Sequence, residues 1–310
     1  MKKLKKILDY IIAGRGRVYL LARKIIPWDN FLFNAIRLFY SKKIYNKSKK
    51  FDFNKNYNSL KESEFKLFSQ NGEDGIIDFI FHHIGFKSKK SVEIGFGYIE
   101  NNSLFLITKY NFNSLLIDGQ DYNVNVFNKF NRNIIKSNSL AIKEWITKDN
   151  INQIISNYID DSEVDLLSID IDGNDYWIWE SIKCISPRVV IMEYNASFYS
   201  HSITVPYDES FDRTKFSNEP RNSHWYHGAS LSALEKLGKS KGYSLVGTDS
   251  KGVNCFFVKD NEIDKCSIEK VSSKKSFTPH YNRFNGILTK QAMNSREQFE
   301  KISDKNYIRV

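Results

Sequence analysis

The sequence predicts an α/β protein. Its core is a Rossmann-like doubly wound sheet of seven strands, mostly parallel, with a C-terminal antiparallel hairpin and an N-terminal helical extension. Three observations predict it. Short Val/Ile/Leu-rich runs alternate with helical patterns between residues 61 and 260, as in a parallel sheet covered on both faces. A glycine turn, Gly95-Phe96-Gly97, follows the first of those runs and precedes a helix. Two late runs, 243–247 and 254–258, are joined only by the turn Thr248–Gly252, too short for a parallel crossover, so they pair antiparallel.

The elements follow in order. Residues 1–60 form a basic extension. Leu4, Ile7, Leu8, Ile11 and Ile12 recur at helical spacing among lysines, and a second helix is expected over 31–40. Such a helix suits peripheral contact with a membrane surface, packing on the body, or a homodimer contact. Residues 61–260 form the main domain. The polar segment Ser69-Gln70-Asn71-Gly72-Glu73-Asp74-Gly75 caps a helix over 76–84. Strands are expected at 91–95, 114–118, 134–142, 165–172 and 188–194. Helices are expected at 103–110, 123–131, 151–159, 176–182 and 230–241. Trp177 and Trp179 cannot share one helix face, so packing on the sheet is the expected role for at least one. Residues 261–310 form a polar extension with one helix near 290–302, either packed or loose.

Composition narrows the class. The 310 residues are 41% hydrophobic with only 15 glycines and 5 prolines, which supports a large core and excludes collagen-like or disordered chains. Cys184, Cys255 and Cys266 lack CxxC spacing, which excludes a disulfide framework and a cysteine zinc site. No apolar run approaches the ~18 residues of a membrane span, and the lysine-rich start lacks a cleavage site, so the expected location is cytoplasmic. The net charge of +10 favours acidic partners without choosing among them.

The chemistry concentrates at the ends of the expected strands. In a dinucleotide site a third glycine would stand at position 100. Glu100 is there instead, and its carboxylate would repel a pyrophosphate docked on the helix N-terminus. Glu93 before the turn suits a cationic ligand. Asp118, at the end of the second strand, can accept both hydroxyls of a ribose. On these residues the chain resembles the class I S-adenosylmethionine-dependent methyltransferases, nearest to the FkbM-like sugar and natural-product O-methyltransferases, over roughly residues 66–260. The resemblance implies that Glu93, Gly95 and Gly97 surround the methionine part of S-adenosyl-L-methionine and that Asp118 binds its ribose. It also implies that Gln70, in a Ser-Gln-x-Gly segment, lies near the cofactor. Asn102 and Gly119 complete the expected cofactor set. The fourth-strand segment Ser168-Ile169-Asp170-Ile171-Asp172-Gly173-Asn174-Asp175 departs from the Lys-Ile-Asp-Val-Glu-Gly pattern usual in FkbM-like chains.

Asp170 and Asp172 are two apart on a strand and share a face, as do Glu193 and Asn195 at the next strand end. Two catalytic readings stay open. Asp170, Asp172 or His227 acts as general base, with His201 a weaker alternative. Or Asp170, Glu193 and Asn195 hold a divalent metal such as Mg, Mn or Ca. The long polar segment 200–223 has the character of a substrate lid. The resemblance implies O-methylation of a sugar or sugar nucleotide in surface-glycan (capsule or lipopolysaccharide) biosynthesis. A nucleic-acid methyltransferase and a non-catalytic scaffold are the rivals. The first lacks its Asn/Asp-Pro-Pro-aromatic motif after the fourth strand and any RNA-binding module.

Overall fold

A computed structural model describes residues 59–98, 100–216, 225–280 and 294–310, with isolated positions between 42 and 57. The helices expected at 4–12 and 31–40, and His224, lie outside the described residues.

Seven strands form one sheet: β1 (Lys90–Ile94), β2 (Asn113–Asp118), β3 (Leu140–Lys143), β4 (Glu163–Ile169), β5 (Ser186–Glu193), β7 (Tyr243–Thr248) and β8 (Asn254–Lys259). Their order is β3-β2-β1-β4-β5-β8-β7, and β6 (Ile203–Thr204) pairs separately with β9 (Ile308–Arg309). The first five strands run parallel, while β8 pairs antiparallel with both β5 and β7. This is the predicted Rossmann-like sheet with its antiparallel hairpin. Asp249 fastens the hairpin turn by accepting the backbone N–H of Lys251 and Val253, at 2.6 and 3.2 Å, and that of Asn254.

Strand side chains alternate between two cores. One face carries Leu116, Leu166, Val189 and Ile191 against α1 (Glu73–Ile84), α2 (Ser103–Tyr110) and α3 (Asp121–Phe130). The other carries Val92, Ile94, Leu115, Ile117, Leu167 and Ile169 against α4 (Ile151–Ser156), α5 (Asp175–Ser181) and α6 (Leu231–Ser240). Helices on both faces explain why the strands read as continuous apolar runs rather than as alternating ones. Trp179 is buried against Phe257 and Tyr243. Trp177 stays half-buried and donates its indole N–H to the Val205 carbonyl at 2.9 Å.

One expectation changes, and one open alternative is decided. The third strand begins at Leu140, not at 134: residues 131–135 form a π-helical turn continuing α3. Lys136, at φ 61°, ends that turn, and the Asn131 side chain bonds Ser137 and Ser139 across it. The 294–310 segment is packed. Its helix α7 (Ser295–Glu300) starts with a capping box between Asn294 and Glu297. Buried Gln298 accepts from the Ser197 hydroxyl at 2.6 Å, and the Asn306 carbonyl accepts from Tyr226 Oη at 2.6 Å. No helix among the described residues is long and apolar enough to cross a membrane.

At the amino-terminal ends of β4 and β5 lies a buried ion network. Arg188 donates to Asp165 at 2.8 Å, Glu262 at 2.9 Å and the carbonyls of Ile84 and Gly85, each at 2.7 Å. Asp165 also accepts the backbone N–H of Lys87 and Lys89. The C-terminus of α1, β4, β5 and the segment after β8 thereby meet at one guanidinium.

Candidate functional site

The strand order turns outward in both directions from the β1/β4 junction, the switch point where open α/β sheets leave a crevice. A cleft of about 230 Å³ opens there. Its floor is Gly95, Asp118 and Asp170 at the ends of β1, β2 and β4, and Trp145 after β3 forms a wall.

Gly95 takes φ +75°, and a Cβ on it would stand 1.8 Å from the Asp170 carbonyl oxygen. The adjacent Asp170 N–H bonds the Ile94 carbonyl at 2.9 Å. Only glycine therefore lets the β1 turn lie this close to the end of β4. Gly97 sits further along the turn, its N–H on the Glu100 carbonyl at 3.1 Å, and does not line the cleft.

Glu93 also departs from expectation. Its neighbours Val92 and Ile94 enter one core, so its own side chain faces the other, toward the start of α2. Both carboxylate oxygens are used there, accepting the N–H of Asn102 at 2.8 Å and of Ser103 at 2.7 Å. Glu93 caps a helix and sets the turn from behind, and it does not line the cleft. Asn102, whose amide donates to Ser168 Oγ at 3.0 Å, is likewise part of that support. Gln70 also lies outside the cleft lining: its segment is organised by Asp74, which accepts three backbone N–H groups from Leu67, Phe68 and Ser69.

Burial pushes the Glu93 carboxyl up to about 7. The same cause raises Asp249 to about 7 and Asp74 and Asp175 to about 6. For a carboxyl raised on folding, the stabilisation is complete below its unfolded pKa and is lost as pH climbs through the folded value. Stability is therefore expected to fall between about pH 4 and pH 7. Glu93→Gln should remove on the order of 3 kcal/mol of that fall, since one pKa unit is about 1.4 kcal/mol. Urea unfolding of both proteins across this range checks it, and parallel curves would contradict it.

Asp118 and Gly119 do line the cleft. One Asp118 oxygen accepts the Phe96 N–H at 3.2 Å and the other the Gln120 N–H at 2.7 Å, which fixes the carboxylate between the β1 and β2 turns. Burial raises its pKa, opposed by those two N–H donors. Trp145 is 64% exposed although it borders the cleft, and its indole N–H bonds the Glu209 carbonyl at 3.2 Å. That carbonyl belongs to the described part of the expected lid. The lid is tied down at Asn174 Nδ2 to the Asp208 carbonyl, 2.7 Å, and at the Lys148 N–H to Tyr207 Oη, 3.1 Å. Phe211 lies against Gly173, where a Cβ would come 2.3 Å from the ring.

Asp170 and Asp172 both border the cleft, but from the turn after β4, which ends at Ile169, and not from one face of a strand reaching 172. Burial drives the Asp170 carboxyl well up, reinforced by Asp172 and Asp175 and opposed by Arg213. Asp172 takes the left-handed φ of 60°, and Arg213 pairs with its carboxylate. Asp175 shapes this turn by accepting the N–H of Ile171 and Gly173, each at 2.8 Å.

The expected metal set of Asp170, Glu193 and Asn195 is not what converges. The Asn195 amide donates to the carbonyls of Trp225 and His227, at 2.5 and 2.8 Å, and its oxygen accepts the Ser197 N–H. It holds the loop that carries His227. Among the described residues, Asp172, Glu193 and His227 are the side chains whose ligand atoms come within 4.8 Å of one another. His227, 1% exposed, places Nδ1 3.6 Å from Glu193. His201 lies elsewhere, stacked on Phe299.

Trp145 and Arg213 are not singled out by the sequence. Trp145 carries a signal, a large aromatic in a polar loop just after a strand. Arg213 carries none beyond its place in the lid.

No family model matches the chain, and no curated protein is similar to it in sequence. Among solved structures it is similar to the N-terminal domain of EvdMO1 with SAH bound, at TM-score 0.40 and 10% identity, covering 70% of this chain and 93% of that one. It is also similar to an O-methyltransferase family protein from Burkholderia thailandensis, at TM-score 0.37 and 8% identity, covering 73% and 57%. A third is an S-adenosylmethionine-dependent methyltransferase from Clostridium acetobutylicum, at TM-score 0.38 and 11% identity, covering 60% and 90%. At such distances, function is read from this chain's own cleft and side chains.

Proposed function

We propose that the protein is an S-adenosylmethionine-dependent O-methyltransferase of the FkbM-like kind, acting on a hydroxyl of a sugar or sugar nucleotide. The observation that carries the reading is Asp118, fixed by two backbone N–H groups at the end of β2 on the floor of the switch-point cleft. A carboxylate there accepts two vicinal ribose hydroxyls. The acidic strand ends fit a cationic sulfonium, and they oppose the pyrophosphate of a dinucleotide. The bound cofactor supplies an electrophilic methyl group.

The chain's own residues do the rest. Gly95 keeps the β1 turn free of a side chain, so backbone lines the cleft beside Asp170. Trp145 offers an apolar wall next to Gly119. The lid segment shields the cleft from water through Glu209 and Phe211. Asp170 takes the acceptor hydroxyl's proton on its carboxylate. Burial, with Asp172 and Asp175 beside it, raises its pKa, and a positioned general base contributes about 10²–10⁴-fold. Positioning contributes more, up to about 7–11 kcal/mol. The sugar acceptor rests on the FkbM-like resemblance.

The test offers methyl-labelled S-adenosylmethionine with sugar nucleotides, RNA and DNA. Label is expected in a sugar as an ether, and Asp170→Asn should lower kcat by about 10²-fold or more while cofactor binding persists. Label in nucleic acid, or an Asp170→Asn enzyme with full kcat, would overturn the reading.

A further inference from the structure

We propose that Asp172, Glu193 and His227 form a site for a divalent transition-metal ion, and that Arg213 occupies its Asp172 arm until the ion binds. The proposal deepens the reading of the cleft above and rests on it, because Asp172 belongs to both the cleft lining and the triad.

Three observations carry it. First, the ligand atoms of the three side chains lie within 4.8 Å of one another, a spacing that small side-chain shifts close around one ion. They come from three separate elements: the turn after β4, the end of β5 and the loop before α6. Second, two of the three are deep in the protein, with Glu193 7% and His227 1% exposed. His227 is held at its backbone by the Asn195 amide, which fixes the loop before any ion arrives.

Third, the surroundings carry more carboxylate than cation. Asp175 shares the turn that carries Asp172, accepting the N–H of Ile171 and Gly173, and among the described residues Arg213 is the guanidinium paired with Asp172. Glu193 lies opposite Asn254 in the β5/β8 register, and Asn254 in turn donates to Glu73 at 2.6 Å. Buried carboxylates are paired or coordinate a metal. Arg213 answers part of the demand by pairing with Asp172, and its side chain is 29% exposed, so it can withdraw toward solvent.

The donor set selects the metal. Two carboxylates alone suit Mg²⁺ or Ca²⁺, whereas a buried imidazole shifts preference toward Mn²⁺, Fe²⁺, Co²⁺ or Zn²⁺. Because Arg213 and the ion share one carboxylate, binding the ion releases the guanidinium and with it the 3₁₀ turn Arg213–Phe216 of the lid.

The experiment titrates the metal-stripped full-length protein with Mn²⁺, followed by electron paramagnetic resonance, with Mg²⁺ as competitor. S-adenosylhomocysteine binding is measured by calorimetry on the same samples. One Mn²⁺ per chain is expected, displaced by Mg²⁺ only at large excess. His227→Ala and Glu193→Gln should each weaken Mn²⁺ by at least about tenfold, as losses at metal sites do. Arg213→Ala should tighten it, an outcome a merely structural Arg213 would not produce. Glu193→Gln and Arg213→Ala decide the matter if His227→Ala does not fold. No stoichiometric Mn²⁺, equal competition by Mg²⁺, or unchanged affinity in these variants would overturn the proposal. S-adenosylhomocysteine binding without Mn²⁺ binding would sink the metal site alone. Loss of both would sink the cofactor reading as well.

Discussion

Arg188→Leu is expected to cost about 3–5 kcal/mol of folding stability, because it leaves the buried Asp165 carboxylate with backbone N–H donors alone, while Glu262 keeps Lys87 at 2.7 Å. Arg188 and Asp165 are 2% and 0% exposed at their side chains, and Glu262 is 6% exposed. The guanidinium also closes the carbonyls of Ile84 and Gly85 at the end of α1, so its loss leaves that helix end less well satisfied. Adding Asp165→Asn and Glu262→Gln should return part of the loss, since uncompensated charge is its main cause. Equilibrium urea unfolding reads both effects. A loss under about 1 kcal/mol for Arg188→Leu would show that water or another cation reaches Asp165.

The sheet was legible because its strands are buried on both faces. Runs such as Ser114–Asp118 and Arg188–Glu193 have no alternation to confuse with an amphipathic helix. The hairpin was legible from the length of its turn. The start of the third strand is not legible in the sequence, because Ile134 and Ile135 are apolar for a different reason: they pack beside α3 on a π turn that no periodicity announces. The tail's packing depends on Gln298, a polar residue whose burial beside Ser197 is a tertiary fact.

The site was legible in part. Gly95, Asp118, Gly119, Asp170 and Asp172 all border the cleft, and each stands at or just after the carboxyl end of a strand. Glu93 went elsewhere through strand parity: its side chain faces the opposite side of the sheet from Ile94 and caps α2. Asn195 went to the carbonyls of Trp225 and His227, which its amide satisfies in the buried loop. His227 could be flagged as a candidate base, but its meeting with Glu193 and Asp172 joins residues 55 positions apart in the chain. Trp145 reaches the cleft from a loop held by the Glu209 carbonyl, and Arg213, on the 3₁₀ turn Arg213–Phe216, reaches Asp172 at its border.

Asp118 is where the account is most exposed. Its carboxylate is positioned by the Phe96 and Gln120 N–H groups, and in the proposed complex it accepts two ribose hydroxyls. Hydrogen bonds to a charged acceptor contribute about 1.5–3 kcal/mol each, so Asp118→Ala should weaken the cofactor by about 10²-fold or more. Asp118→Asn keeps an oxygen acceptor and the side-chain shape, so its affinity should fall between those of the wild type and Asp118→Ala. Calorimetric titration of S-adenosylhomocysteine into the wild-type protein and both variants, with thermal unfolding to confirm that each is folded, is the direct test. The result expected is saturable binding to the wild type, weaker binding to folded Asp118→Asn and the weakest to folded Asp118→Ala. Equal binding by wild type and Asp118→Ala, or none by the folded wild-type protein, would contradict the assignment of this cleft as the cofactor site.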